Sequence, residues 1–172
     1  MKALVFVTQK DFKDESLSAI RKSLQKWDVK VEVACTRKGE VYGYHGAACS
    51  VDTTLLEVSA SDYECIILID GPGISSLSGE MRQISETVRN FYNAGKAVCA
   101  INNAIKILAK SNIIKGKEIS EPKDNETASI VGLYGGVLTK SKVESDRGII
   151  TAGNPDEASE FADAILKAVK AK

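Results

Sequence analysis

The sequence has a single histidine, no C-x-x-C pair among its four cysteines, and no surplus of either charge. Each shortage removes a class of function. One imidazole, His45, and the scattered thiols Cys35, Cys49, Cys65 and Cys99 do not supply the ligand spacing of a zinc module. No metal and no cofactor is therefore expected. Lys plus Arg and Asp plus Glu stand at 23 each, so the formal net charge is zero. A neutral chain has no electrostatic footprint for nucleic acid or an anionic membrane. No apolar run reaches the roughly 20 residues of a membrane-spanning helix. The opening MKALVFVTQK is only briefly hydrophobic and has no cleavage-site pattern, so it reads as a first strand. The expected compartment is the cytoplasm. The glycines of DGPG (residues 70–73) are followed neither by a third glycine nor by the usual acid, which leaves no NAD site.

What is present describes a globular α/β chain. Its 172 residues suit one domain spanning 1–172, and 44% hydrophobic with 27% charged residues is ordinary for a packed core. Continuous apolar runs at 3–7, 29–35, 64–70, 96–101 and 148–152 predict strands covered on both faces. Helices are predicted between them. The first has Asp14 as N-cap and Leu17, Ile20, Leu24 and Trp27 on one face. The second carries Met81, Ile84, Val88 and Phe91 and is stopped by Gly95. A third starts at Asn102 and fades near Asn112. The last begins with Asn154 as cap, Pro155 in the first helical position and Glu157 as a capping-box acid. Residues 37–55, rich in glycine and β-formers, predict a ribbon of short antiparallel strands. Residues 117–139 read mostly as loop, with strand character at 118–120 and 137–139.

Alternating strands and helices predict a mainly parallel sheet with helices on both faces, a three-layer flavodoxin-like sandwich. Such sheets gather ligands at the carboxyl ends of their strands. Three turns converge there, after Val7, after Ile69 and after Ile101. The last runs from AVCAI directly into a helix, a corner that often holds a nucleophile. Here it carries Asn102 and Asn103.

The order of five segments resembles the ThiJ/PfpI superfamily, the class I glutamine-amidotransferase-like proteins, over nearly the whole chain. They are FVTQKDFKDESL, GEVYGYHGAACSVDTTL, ECIILIDGPG, GKAVCAINNAIKILAKSNIIKGKEIS and GIITAGNPDEASEFADAIL. The resemblance implies the flavodoxin-type fold, a homo-oligomer (dimer or larger), and a cysteine-dependent peptidase, glyoxalase or deglycase chemistry. It also implies where that chemistry would sit. The family's cysteine falls on Asn102, and the usual histidine after it on Asn103. The acid of the first turn falls on Ser16, with Glu15 beside it. The Pro-Gly-Gly turn becomes Asp70, Gly71 and Pro72, and proline has no N–H to donate.

Asparagine tolerates a positive φ but has no ionisable nucleophile. The corner is therefore expected to keep its shape and lose the covalent step. Cys99, inside a strand, reads as core, as do Cys35 and Cys65. Cys49 in the ribbon is expected to be more exposed, without a base beside it. His45 reads as a structural or interface residue, with a base as the other reading. Glu15 and Asp70 both reach toward the expected pocket, where paired carboxylates could do acid–base work; alternatively, Glu15 is a solvated first-turn residue. Ser16 and Thr8 read as turn and cap residues. Two functions remain. One is a pseudoenzyme-like binding, stress-related or scaffolding domain, with Glu15, Asp70, Gly71, Asn102 and Asn103 around a small-molecule ligand. The other is a hydrolase or lyase with altered chemistry, in which the asparagine amides and the two carboxylates position the substrate.

Overall fold

The computed structural model describes residues 1–171. In chain order the strands and helices are β1 (Lys2–Phe6), β2 (Lys10–Phe12), α1 (Asp14–Lys26), β3 (Lys30–Cys35), β4 (Glu40–Gly43), β5 (Ala48–Ser50), β6 (Thr53–Thr54) and β7 (Cys65–Leu68). There follow α2 (Met81–Asn93), β8 (Ala97–Ile101), α3 (Ile105–Lys110), β9 (Glu118–Ser120), α4 (Asn125–Leu133), β10 (Val137–Thr139), β11 (Val143–Asp146), β12 (Ile149–Ala152) and α5 (Ala158–Lys170).

Seven strands form the central sheet in the order β11-β12-β8-β7-β1-β3-β6. Every pairing in it is parallel except β11 with β12. Strand alternation splits the core into two layers. Ala3, Val5, Cys65, Ile67, Cys99 and Ile101 pack with Leu17, Ile20 and Leu24 of α1 and Phe161, Ile165 and Val169 of α5. Leu4, Phe6, Ile66, Leu68, Val98 and Ala100 pack with Ile84, Val88 and Phe91 of α2, Ile107 and Leu108 of α3 and Val131 of α4. Helices thus cover both faces, and the three-layer α/β arrangement is as expected.

The 37–55 segment folds as a ribbon in which β4 and β5 are antiparallel and β2 joins β4 in parallel. Several local readings change. Asp14 is the first residue of α1 and caps nothing there. Its carboxylate accepts the backbone N–H groups of His45 and Ala47 at 3.0 and 2.8 Å, stitching the ribbon to the helix. Trp27 is not core: the ring is half exposed, with the Lys170 ammonium 4.1 Å from its centroid. Asn154 does cap, accepting from Asp156 N at 3.0 Å, but the turn it caps is 3-10. The Glu157 carboxylate turns to Lys142 at 3.7 Å. Cys49 is buried, not exposed, and takes an Arg21 N–H on its sulfur at 3.4 Å.

The 117–139 stretch contains more than loop. Its strand-like ends pair in parallel as β9 and β10, and α4 lies between them. Asp124 caps α4 by accepting from Thr127 N at 3.0 Å. The edge strand β11, antiparallel to β12, also lies outside the predicted strands. Among the described residues no helix is long and apolar enough to cross a membrane.

Candidate functional site

The carboxyl ends of β7 and β8 and the start of α1 meet at a cavity of about 430 Å³. Its walls include Lys13, Glu15, Tyr44, His45, Asp70, Gly71, Ser75, Asn102, Asn103 and Asp124. β8 ends at Ile101, and the next residue, Asn102, has φ +46°. That left-handed corner turns the chain at once into the 3-10 turn leading to α3. Asparagine adopts this region at less cost than most non-glycine residues. Its Oδ1 accepts the Asp124 N–H at 3.2 Å, which ties the corner to the cap of α4.

Asn103 holds the neighbouring turn. Its Oδ1 accepts from Gly71 N at 3.0 Å, and its Nδ2 donates to Gly71 O at 2.8 Å. Both ends of that carboxamide are committed to the backbone of one residue, Gly71. Lys13 N adds a bond to Asp70 O at 2.7 Å. Gly71 itself has φ +140°, and a Cβ there would lie 2.4 Å from Asp11 O. The Asp70–Gly71 backbone is therefore over-determined.

Asp70 is 1% exposed, and neither of its carboxyl oxygens has a hydrogen-bond partner of good geometry. The same holds for Ser16 Oγ, which is also 1% exposed. Burial dominates and lifts the Asp70 carboxyl to about 6. Ser16, Lys13 and Asn102 pull the other way without reversing it. Ser16 is thus a buried neighbour of a buried acid, not a simple turn residue.

Glu15 and His45 face each other at the mouth, with Nδ1 to Oε1 at 2.6 Å and both side chains more than half exposed. The backbone N–H at its own position and then His45 hold the Glu15 carboxyl below its usual range. For Asp14, burial opposes ionisation, but the His45 and Ala47 N–H groups outweigh it. Asp14, Glu15 and His45 offer ligand-type atoms within 4.8 Å of one another. Asp14 already accepts two backbone N–H groups, and Glu15 Oε1 is in contact with His45 Nδ1.

The structure thus brings together Glu15, Asp70, Gly71, Asn102 and Asn103, with Ser16 directly behind. Sequence reasoning missed Lys13, Tyr44, Ser75 and Asp124. Asp124 had a readable signal, an Asp-x-x-Thr cap, but it preceded no apolar stripe. All four cysteines are buried. Among the described residues none of them lines this cavity.

A parallel sheet with a left-handed strand-to-helix corner over a polar cavity defines a flavodoxin-like α/β protein with its site at the strand ends. The DJ-1/PfpI family profile matches residues 1–168, and the chain belongs to that family. It is 32% identical over 169 residues to an uncharacterized protein of Methanocaldococcus jannaschii, covering 98% of this chain and 82% of the other. It is 23% identical to the deglycase PfpI of Pyrococcus furiosus, over 88% of this chain and 86% of that one. In fold it resembles the ThiJ/PfpI domain protein of Brachyspira murdochii, with a TM-score of 0.94 at 21% identity, covering 99% and 97% of the two chains.

Proposed function

We propose that this chain is a DJ-1/PfpI protein whose strand-to-helix corner is retained while its covalent reagent is not. The cavity then binds a small molecule and does not turn one over through a thiol. The observation that supports this most is Asn102, on the cavity wall at φ +46° with its carboxamide bonded to Asp124. A carboxamide has no proton to lose near neutral pH, so no helix terminus or neighbouring charge can turn it into a nucleophile. In this reading residues 1–172 act as one cytoplasmic domain in a homo-oligomer, with a binding, stress-related or scaffolding role.

The test is turnover. The purified chain is assayed with peptide, glyoxal-type and glycated substrates, before and after alkylation of its thiols. The expected result is no turnover above buffer in either state. Turnover that alkylation abolishes would refute the proposal.

A second reading is favoured by Asp70. A buried carboxyl lifted to about 6 lies in the range of a general acid or base, and an asparagine N–H can steady an oxyanion. This reading makes the protein a hydrolase or lyase of altered chemistry. It requires turnover that survives alkylation and disappears in both Asp70→Asn and Asn102→Ala.

A further inference from the structure

Lys106 is a charge in an apolar helix. It lies on α3 between the buried Ile105 and Ile107 and is only 8% exposed. An ammonium held out of water needs good partners. Among the described residues its Nζ makes no hydrogen bond, and its ion-pair partner is Glu126 Oε1 at 3.5 Å, on a side chain that is 71% exposed. A solvated carboxylate at that distance is weak compensation. Lys106 and Glu126 both line a second cavity, of about 190 Å³, together with Ser75, Ser78, Met81 and Lys110. Ser75 also lines the corner cavity, so the two share a wall. At Met81 the 13-residue α2 begins, and no side chain caps it. The carboxylate of Glu80, just before it, is taken instead by Gln9 Nε2 at 3.2 Å and Thr36 Oγ1 at 3.0 Å. The positive end of the helix dipole therefore adds to the charge of the lysines.

We propose that this second cavity is an anion subsite that takes the phosphate group of a small molecule, with Lys106 as its main anchor. Its volume is below the roughly 300 Å³ at which pockets for drug-sized ligands begin, so it suits a charged group and not a whole ligand. Lys106 and Lys110 come from α3, and the Ser75 and Ser78 hydroxyls from the stretch before α2. Donors on two walls suit a phosphate, with three acceptor oxygens, better than a carboxylate with two. Glu126 is the one acid among the residues lining this cavity, and it competes with an incoming anion for Lys106. A molecule anchored here extends past Ser75 toward the Asn102 corner. The anchoring does not depend on whether the corner binds or turns over the remainder.

The experiment is a titration of the isotope-labelled chain with inorganic phosphate, followed by NMR, with sodium chloride holding the ionic strength constant. A parallel titration uses acetate. Saturable shifts are expected at the backbone amides of Ser75, Ser78, Met81, Lys106, Lys110 and Glu126, with phosphate binding more tightly than acetate. Lys106→Met keeps most of the apolar stem and removes the charge; it should weaken phosphate binding by about tenfold or more. Glu126→Gln removes the competing carboxylate and should tighten binding by about twofold to fivefold. A purely structural Lys106–Glu126 pair predicts no such gain. Shifts that do not saturate, or that spread evenly over the surface, would overturn the proposal. So would a Glu126→Gln chain that binds phosphate no better than the parent, or acetate that binds as tightly as phosphate. If Lys106→Met does not fold, the exposed Glu126 still decides.

Discussion

The buried acid makes a quantitative demand on stability. Burial raises the Asp70 carboxyl from 3.8 to about 6 in the folded chain. Between those two pH values the folded state holds a proton that the unfolded state has released. Stability from this group is therefore present at low pH and lost as pH rises through the window. At 1.36 kcal/mol per pH unit, the loss comes to about 3 kcal/mol by neutral pH. Asp70→Asn cannot ionise and should not show it. Any difference in how the amide packs is an offset that does not depend on pH. The assay is urea denaturation of both chains at a series of pH values, with the free energies extrapolated to water. Stability of the variant relative to the parent should improve by about 2.5 kcal/mol between about pH 4 and about pH 7.5, the remainder of the effect lying below pH 4. Asp14, Glu15, Glu32 and Asp146 are held below their usual ranges and act in the opposite direction. They are present in both chains and cancel in the difference. A difference that stays flat with pH, or falls, would refute the reasoning.

Other substitutions test the frame around the site. Asn103→Ala removes both bonds to the Gly71 backbone and should cost about 2–3 kcal/mol in the same denaturation assay. Gly153→Ala would place a Cβ 1.8 Å from Glu121 O, so the backbone must shift; a loss above about 2 kcal/mol is expected. Gly79→Ala meets nothing within 4 Å and should stay within about 0.5 kcal/mol of the parent. Tyr63→Phe deletes the 2.7 Å bond to Glu32, the main reason that carboxyl is held below 4.5. Its cost, about 1 kcal/mol, should be full above that pH and fade as Glu32 becomes protonated below it.

The parts of the fold visible in the sequence are those whose cause is local or periodic. β1, β7, β8 and β12 are buried along their whole length or nearly so, and an unbroken apolar run is the direct mark of that burial. α2 has a clean apolar face and a glycine at its end, so it is legible as well. α4 is not legible. Only Thr127 and Val131 are buried in it, too few to print a helical period on NETASIVGL. β11, read as VESD, has no strand pattern; it is a strand because β12 offers it an open edge. Asp14 looked like a cap because its neighbours suit one. Acceptance of N–H groups 31 and 33 residues away overrode the local choice.

For the candidate site, the amino-acid order by itself determined the chemistry available: a carboxamide at the corner, a second one after it, and a proline in the facing turn. Side-chain identity is a property of the chain and needs no fold to establish it. Only the tertiary structure decided which groups are exposed to a ligand and which are sealed behind it. Glu15 and Asp70 are both carboxylates near the strand ends, yet one is solvated against His45 and the other is shut away with Ser16. That difference comes from desolvation, and desolvation depends on what the remaining elements pack around each group.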